Sequence, residues 1–98
     1  MKHFIIVKFK DREDLERSFS DVKEIFERTL SIDGVEKVVL HKSNSTRSNR
    51  YDLMIEMTLS PQALPLYDAC DAHKEWKEKY GDRLVAKAIF DCEEKDDE

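Results

Sequence analysis

Tyr51-Asp52-Leu53-Met54-Ile55-Glu56-Met57-Thr58-Leu59 runs directly into Ser60-Pro61. Tyr51, Leu53, Ile55, Met57 and Leu59 fall on one face of an extended chain, and Asp52, Met54, Glu56 and Thr58 on the other. Such period-two alternation marks a strand with one face turned to a core. Ser60-Pro61 then reads as a helix start, a capping hydroxyl followed by proline at the first helical position. A half-buried strand that passes straight into a helix sets the frame for the chain on either side.

Upstream, the polar stretch from Ser43 to Arg50 has no periodicity and reads as a loop. Before it, Val35 to Lys42 forms a second strand, with Val35, Val39 and His41 alternating against Glu36, Val38 and Leu40 and a hairpin expected to the third. Further back, Leu15, Phe19, Val22, Phe26 and Leu30 recur at helical spacing as one apolar stripe, with Asp11 as cap and Glu13 and Asp14 in the first turn. Ile32-Asp33-Gly34 ends that helix, glycine supplying a positive φ. The chain opens with a strand over Lys2 to Lys10, His3, Ile5, Val7 and Phe9 on one face and Phe4, Ile6 and Lys8 on the other.

Downstream, the helix that starts at Ser60-Pro61 carries Leu64 and Tyr67, and Pro65 is expected to disturb its first turns. It continues from Ala72 to Tyr80 and closes at Gly81. Arg83 to Cys92 forms the last strand, with Leu84, Ala86, Ala88 and Phe90 opposite Val85, Lys87 and Ile89. The order β-α-β-β-α-β, read with right-handed crossovers, predicts a ferredoxin-like α+β plait: a four-stranded antiparallel sheet with two helices on one face. Residues 1–92 make this one domain, and 93–98 an acidic disordered tail. Two helices cover a single sheet face, yet the strands offer apolar groups to both. A homodimer joined through the uncovered face is therefore expected.

Composition narrows the function. The 98 residues carry 17 bases against 22 acids, a net charge of −5, and the last six residues account for most of the excess. The one base-rich segment without acids, His41 to Arg50, is a solvated loop, so no nucleic-acid partner is expected. Two cysteines, Cys70 and Cys92, make neither a disulfide framework nor a zinc site, and no metal or cofactor is expected. With no apolar run of membrane length, no membrane partner is expected and the chain reads as cytoplasmic.

The opening Lys2-His3-Phe4-Ile5-Ile6-Val7-Lys8-Phe9-Lys10, the turn Asp33-Gly34-Val35, the strand entry Tyr51-Asp52-Leu53, the pair Ala72-His73 and the ending Phe90-Asp91 resemble the stress-responsive dimeric α/β barrel (Dabb) domain over about residues 2–92. The resemblance implies a protomer whose sheet packs on that of a second copy to close a barrel. Many such proteins have no assigned activity. Some plant relatives are cofactor-free polyketide cyclases with a pocket between sheet and helices. On that pattern His73 matches the cyclase histidine and Tyr67 a pocket tyrosine. The second cyclase histidine falls on Leu53, a further tyrosine near Ile25, and the usual His-Pro-Ala-His motif reads Cys70-Asp71-Ala72-His73.

The candidate site is thus Tyr67 to Tyr80. Tyr67, His73, Trp76 and Tyr80 gather there as a ligand-facing wall for a small, mostly apolar or aromatic compound. The plainer roles are a structural hydrogen bond for His73 and anchoring of the helix on the sheet by Trp76 and Tyr80. Three functions follow. One is a small homodimeric binding domain without catalysis. The second is a cofactor-independent lyase, cyclase or isomerase with His73 as general base and Tyr67 as hydrogen-bond donor. The third, a cofactor-free monooxygenase, rests on fold analogy alone.

Overall fold

The computed structural model describes residues 1–93; the expected disordered tail lies, from residue 94 on, outside the described residues. Strand β1 (Lys2–Phe9) leads into helix α1 (Arg12–Glu27) and a 3₁₀ turn (Arg28–Ser31). The hairpin strands β2 (Val35–Lys42) and β3 (Leu53–Leu59) follow. The chain then forms helices α2 (Ala63–Ala69) and α3 (Asp71–Tyr80), a second 3₁₀ turn (Gly81–Arg83) and β4 (Leu84–Cys92). The four strands form one antiparallel sheet in the order β2-β3-β1-β4. This is the ferredoxin-like plait.

Period-two alternation decides which residues meet. In the central pair Ile5 faces Ile55 and Val7 faces Leu53. His3, Ile5, Val7 and Phe9 of β1 are buried with Leu53, Ile55, Met57 and Leu59 of β3. Helix α1 adds Leu15, Val22, Ile25 and Phe26, and α2 with α3 adds Ala63, Tyr67, Trp76 and Tyr80. The two helical layers meet where the Phe26 ring stands edge-on to Trp76, 5.1 Å between centroids. Asp11 caps α1 by accepting the Glu13 N–H at 3.0 Å.

Several local expectations are corrected. In β2 a bulge between Val35 and Lys37 resets the alternation, so Val38 and Leu40, not Val39 and His41, share the core side with Met57 and Ile55. A bulge at Lys8/Phe9 does the same in β4, placing Leu84 opposite Phe9 and apart from Ala86, Ala88 and Phe90. Helix α1 stops at Glu27 because Thr29, buried, donates its hydroxyl to the Phe26 carbonyl at 2.5 Å and tightens the next turn; Leu30 ends up exposed. Strand β3 starts at Leu53, leaving Tyr51 exposed.

The Ser60 start also shifts. Ser60 donates its N–H to the Gly34 carbonyl at 2.9 Å, and α2 begins only at Ala63 without a side-chain cap. Pro65 then falls in the first turn, where backbone N–H groups have no helical partner, so it does not disturb α2. Cys70 is extended and splits the helical region; its sulfur accepts the His73 N–H at 3.4 Å and caps α3. Gly81 keeps right-handed angles and opens a 3₁₀ turn.

Gly34 is the one residue with positive φ among those described, at 95°. A Cβ there would lie 2.5 Å from Ser60 Oγ and 2.9 Å from the Ala63 Cβ. Gly34→Ala combines left-handed strain with overpacking and should lower stability by about 2–4 kcal/mol. Urea unfolding followed by circular dichroism checks this; an unchanged midpoint would contradict it.

Candidate functional site

Between the helix-facing side of β1 and β4 and the pair α2-α3 lies a pocket of about 300 Å³, at the lower end of the usual range for ligand sites. Ile5, Leu64, Trp76 and Ile89 form its apolar wall. Tyr67 and Asp68 enter from α2, His73 and Lys77 from α3, Lys87 and Asp91 from β4, and His3 from β1. The site therefore draws on both ends of the chain.

The polar groups cluster where β1 begins. In the β1–β4 register His3 stands opposite Asp91, and their side chains are joined through His3 Nδ1 and an Asp91 carboxylate oxygen. The Tyr67 ring meets His3 edge-on at 5.6 Å and His73 at 4.7 Å. His73 Nδ1 lies 2.9 Å from the Asp68 carbonyl oxygen. A carbonyl only accepts, so a neutral His73 carries its proton on Nδ1 and presents Nε2 as the basic nitrogen. The same logic applies to His3 against a carboxylate.

Tyr67 differs from its neighbours. It is 1% exposed and its hydroxyl makes no hydrogen bond. Burial, with smaller contributions from the charges of Cys70 and Asp68, pushes its ionisation far above the usual tyrosine range. The hydroxyl stays protonated and is available as a donor. An unpartnered buried hydroxyl costs about 1–3 kcal/mol, a cost that a ligand acceptor would remove.

Of the four residues singled out from sequence, Tyr67, His73 and Trp76 line the pocket and Tyr80 does not. Tyr80 is an anchor. Its hydroxyl donates to Asp21 Oδ2 at 2.5 Å, its ring stacks 5.4 Å from Trp76 and edge-on to Phe9, and the Arg83 guanidinium lies 4.5 Å over its face. Arg83 in turn grips both Asp14 carboxylate oxygens and holds that acid below the usual carboxylate range.

His3, Asp91 and Lys87 did not stand out from sequence as pocket residues, whereas Lys77 shares a helical face with His73 and Trp76. The alternation of the first strand did place His3 with Ile5, Val7 and Phe9, which was the available signal. His41 lies on the other face of the sheet, 2.9 Å from Glu56, remote from the pocket. A smaller depression of about 190 Å³ on that face is lined by Ile6, His41, Tyr51 and Met54. It contains no unpartnered buried polar atom among the described residues.

No protein-family model matches the sequence, and no curated protein does. Solved structures match in fold. A protein of Arabidopsis thaliana is 21% identical, over 99% of this chain and 97% of its own, with a TM-score of 0.77. A Bacteroides fragilis protein, described as dimeric, ferredoxin-like and of unknown function, is 14% identical over 91% of this chain and 90% of its own, TM-score 0.75. A Dabb family protein of Mesorhizobium loti with a ferredoxin-like fold is 17% identical over 91% and 90%, TM-score 0.68. The fold shared with these structures is therefore ferredoxin-like.

Proposed function

We propose that the protein is a homodimeric binding protein that holds a small, mostly apolar ligand in the pocket between β1, β4, α2 and α3, with an acceptor oxygen of the ligand taking the Tyr67 proton as a hydrogen bond. The observation that carries this reading is that Tyr67, which lines a cavity of about 300 Å³, has a buried hydroxyl without a hydrogen-bond partner. Trp76, Ile5, Leu64 and Ile89 suit a flat apolar body. Homodimer formation is supported by the open sheet face. Phe90 is 58% exposed there beside Phe4, 6.2 Å between ring centroids, and the Bacteroides fragilis relative is described as dimeric.

A second reading, acid–base catalysis without a cofactor, is favoured by the His3–Asp91 pair and His73 beside Tyr67. A ring Nε2 would take a proton from the carbon next to a ligand carbonyl. The enolate oxygen that forms would be held by the Tyr67 hydroxyl. This is the first step of an isomerisation or of a cyclisation by carbon–carbon bond formation.

Four measurements check these readings. Butyrophenone, a neutral aryl ketone, should bind the wild type in calorimetry, and Tyr67→Phe should weaken it about tenfold, the worth of one hydrogen bond of about 1.4 kcal/mol. The unliganded Tyr67→Phe protein should be as stable as wild type or more so, since a buried orphan is removed; equal affinity in the two proteins would overturn the binding reading. Light scattering should give twice the chain mass, and Phe90→Asp should give the monomer. Under the catalytic reading the protons beside the butyrophenone carbonyl exchange with deuterium faster than in buffer, followed by NMR, and His73→Gln or His3→Gln slows that exchange. A rate no higher than the buffer rate excludes catalysis of this step.

A further inference from the structure

We infer that the ligand is an anion: a small aryl or alicyclic keto acid whose carboxylate lies at the Lys77 and Lys87 end of the pocket while its keto oxygen meets Tyr67. The inference rests on the binding reading above and gives that ligand a charge and an orientation. The pocket is polar at two ends of different character. At one end His3 joins Asp91 to the Tyr67 ring, and Tyr67 in turn meets His73. Lys87 stands opposite Val7, four residues back along β4 from Asp91 opposite His3, a distance of about 13 Å at strand rise. Lys77 follows His73 by one helical turn on α3, about 6 Å along the axis.

Two lysines from separate elements thus line the same cavity. Neither side chain has a hydrogen-bond or ion-pair partner among the described residues, although other bases of this acid-rich chain do: Lys42 pairs with Glu16, Lys79 with Asp21 and Arg28 with Glu75. The lining holds two acids. Asp91 is engaged by His3, and Asp68 belongs to the Tyr67 end, where its carbonyl meets His73. In the β1–β4 register the Ile5–Ile89 pair stands between His3–Asp91 and Val7–Lys87. A carboxylate bound between the lysines breaks no existing ion pair. Both lysines are exposed, so the gain is that of solvated charge pairs, about tenfold in affinity for the two together, and it is screened by salt.

The probes are benzoylpropionate, its uncharged amide and butyrophenone, titrated by calorimetry into the full chain. We expect benzoylpropionate to bind about tenfold tighter than the amide at low salt. That advantage shrinks as salt is raised, disappears in the Lys77→Gln/Lys87→Gln double variant and is restored by Lys77→Arg/Lys87→Arg. Amide affinity is unchanged throughout. Equal affinity for acid and amide, or an advantage that survives in the glutamine variant, overturns the inference while butyrophenone binding keeps the pocket reading standing. If none of the three compounds binds, the inference falls together with that reading.

Discussion

The buried carboxylate of Asp52 ties β1, α1 and the β2–β3 loop to one register. Its backbone N–H donates to the Val7 carbonyl and its Oδ2 accepts the Phe9 N–H, each at 2.8 Å; its own carbonyl accepts from Ser43. Arg12 and Lys8 stand within 3.5 and 4.0 Å of the other carboxylate oxygen, and Arg12 also holds the Ser43 and Ser45 carbonyls. A lone buried charge is costly, but this one is hydrogen-bonded and countered by two cations. The register it holds turns His3, Ile5, Val7 and Phe9 inward, and a slip of one residue would turn all of them out. The pocket exists on that condition.

Buried polar side chains elsewhere among the described residues are met by partners, which makes the exception informative. Arg83 satisfies Asp14 and Ser18 together, and Tyr80 satisfies Asp21. Of the two buried side-chain atoms without a hydrogen bond among the described residues, Arg12 Nε still has the Glu16 carboxylate at 3.5 Å. The other is the Tyr67 hydroxyl. Unmet demand is therefore concentrated at the pocket rather than spread through the core.

Strands β1 and β3 were legible in the sequence because each has one sealed face and alternates without interruption. Helix α1 was legible as a stripe, and Gly34 as a turn. The edge strands β2 and β4 were misread in detail. A bulge adds one residue that no pattern of side chains announces, and beyond it inside becomes outside. Tyr67, His73 and Trp76 all line the pocket, His73 and Trp76 by their spacing along α3 and Tyr67 from the separate helix α2. Tyr80 shares that spacing, but one further turn carries it past the pocket to Phe9 and Asp21. His3 and Asp91 are 88 positions apart and meet only through the sheet. Lys87 looks like any solvated charge until the cavity that it lines is seen.

Strand β1 has a consequence for how the chain tolerates change. Within its eight residues neighbours in sequence belong to unrelated environments: His3 answers to the pocket and Phe4 to the open face, Ile5 to the pocket and Ile6 again to the open face. The segment carries two interleaved messages, each read by a different surface. A substitution in one leaves the other intact, so what the pocket accepts and what the outer face adheres to can drift apart without rewriting the strand that encodes both.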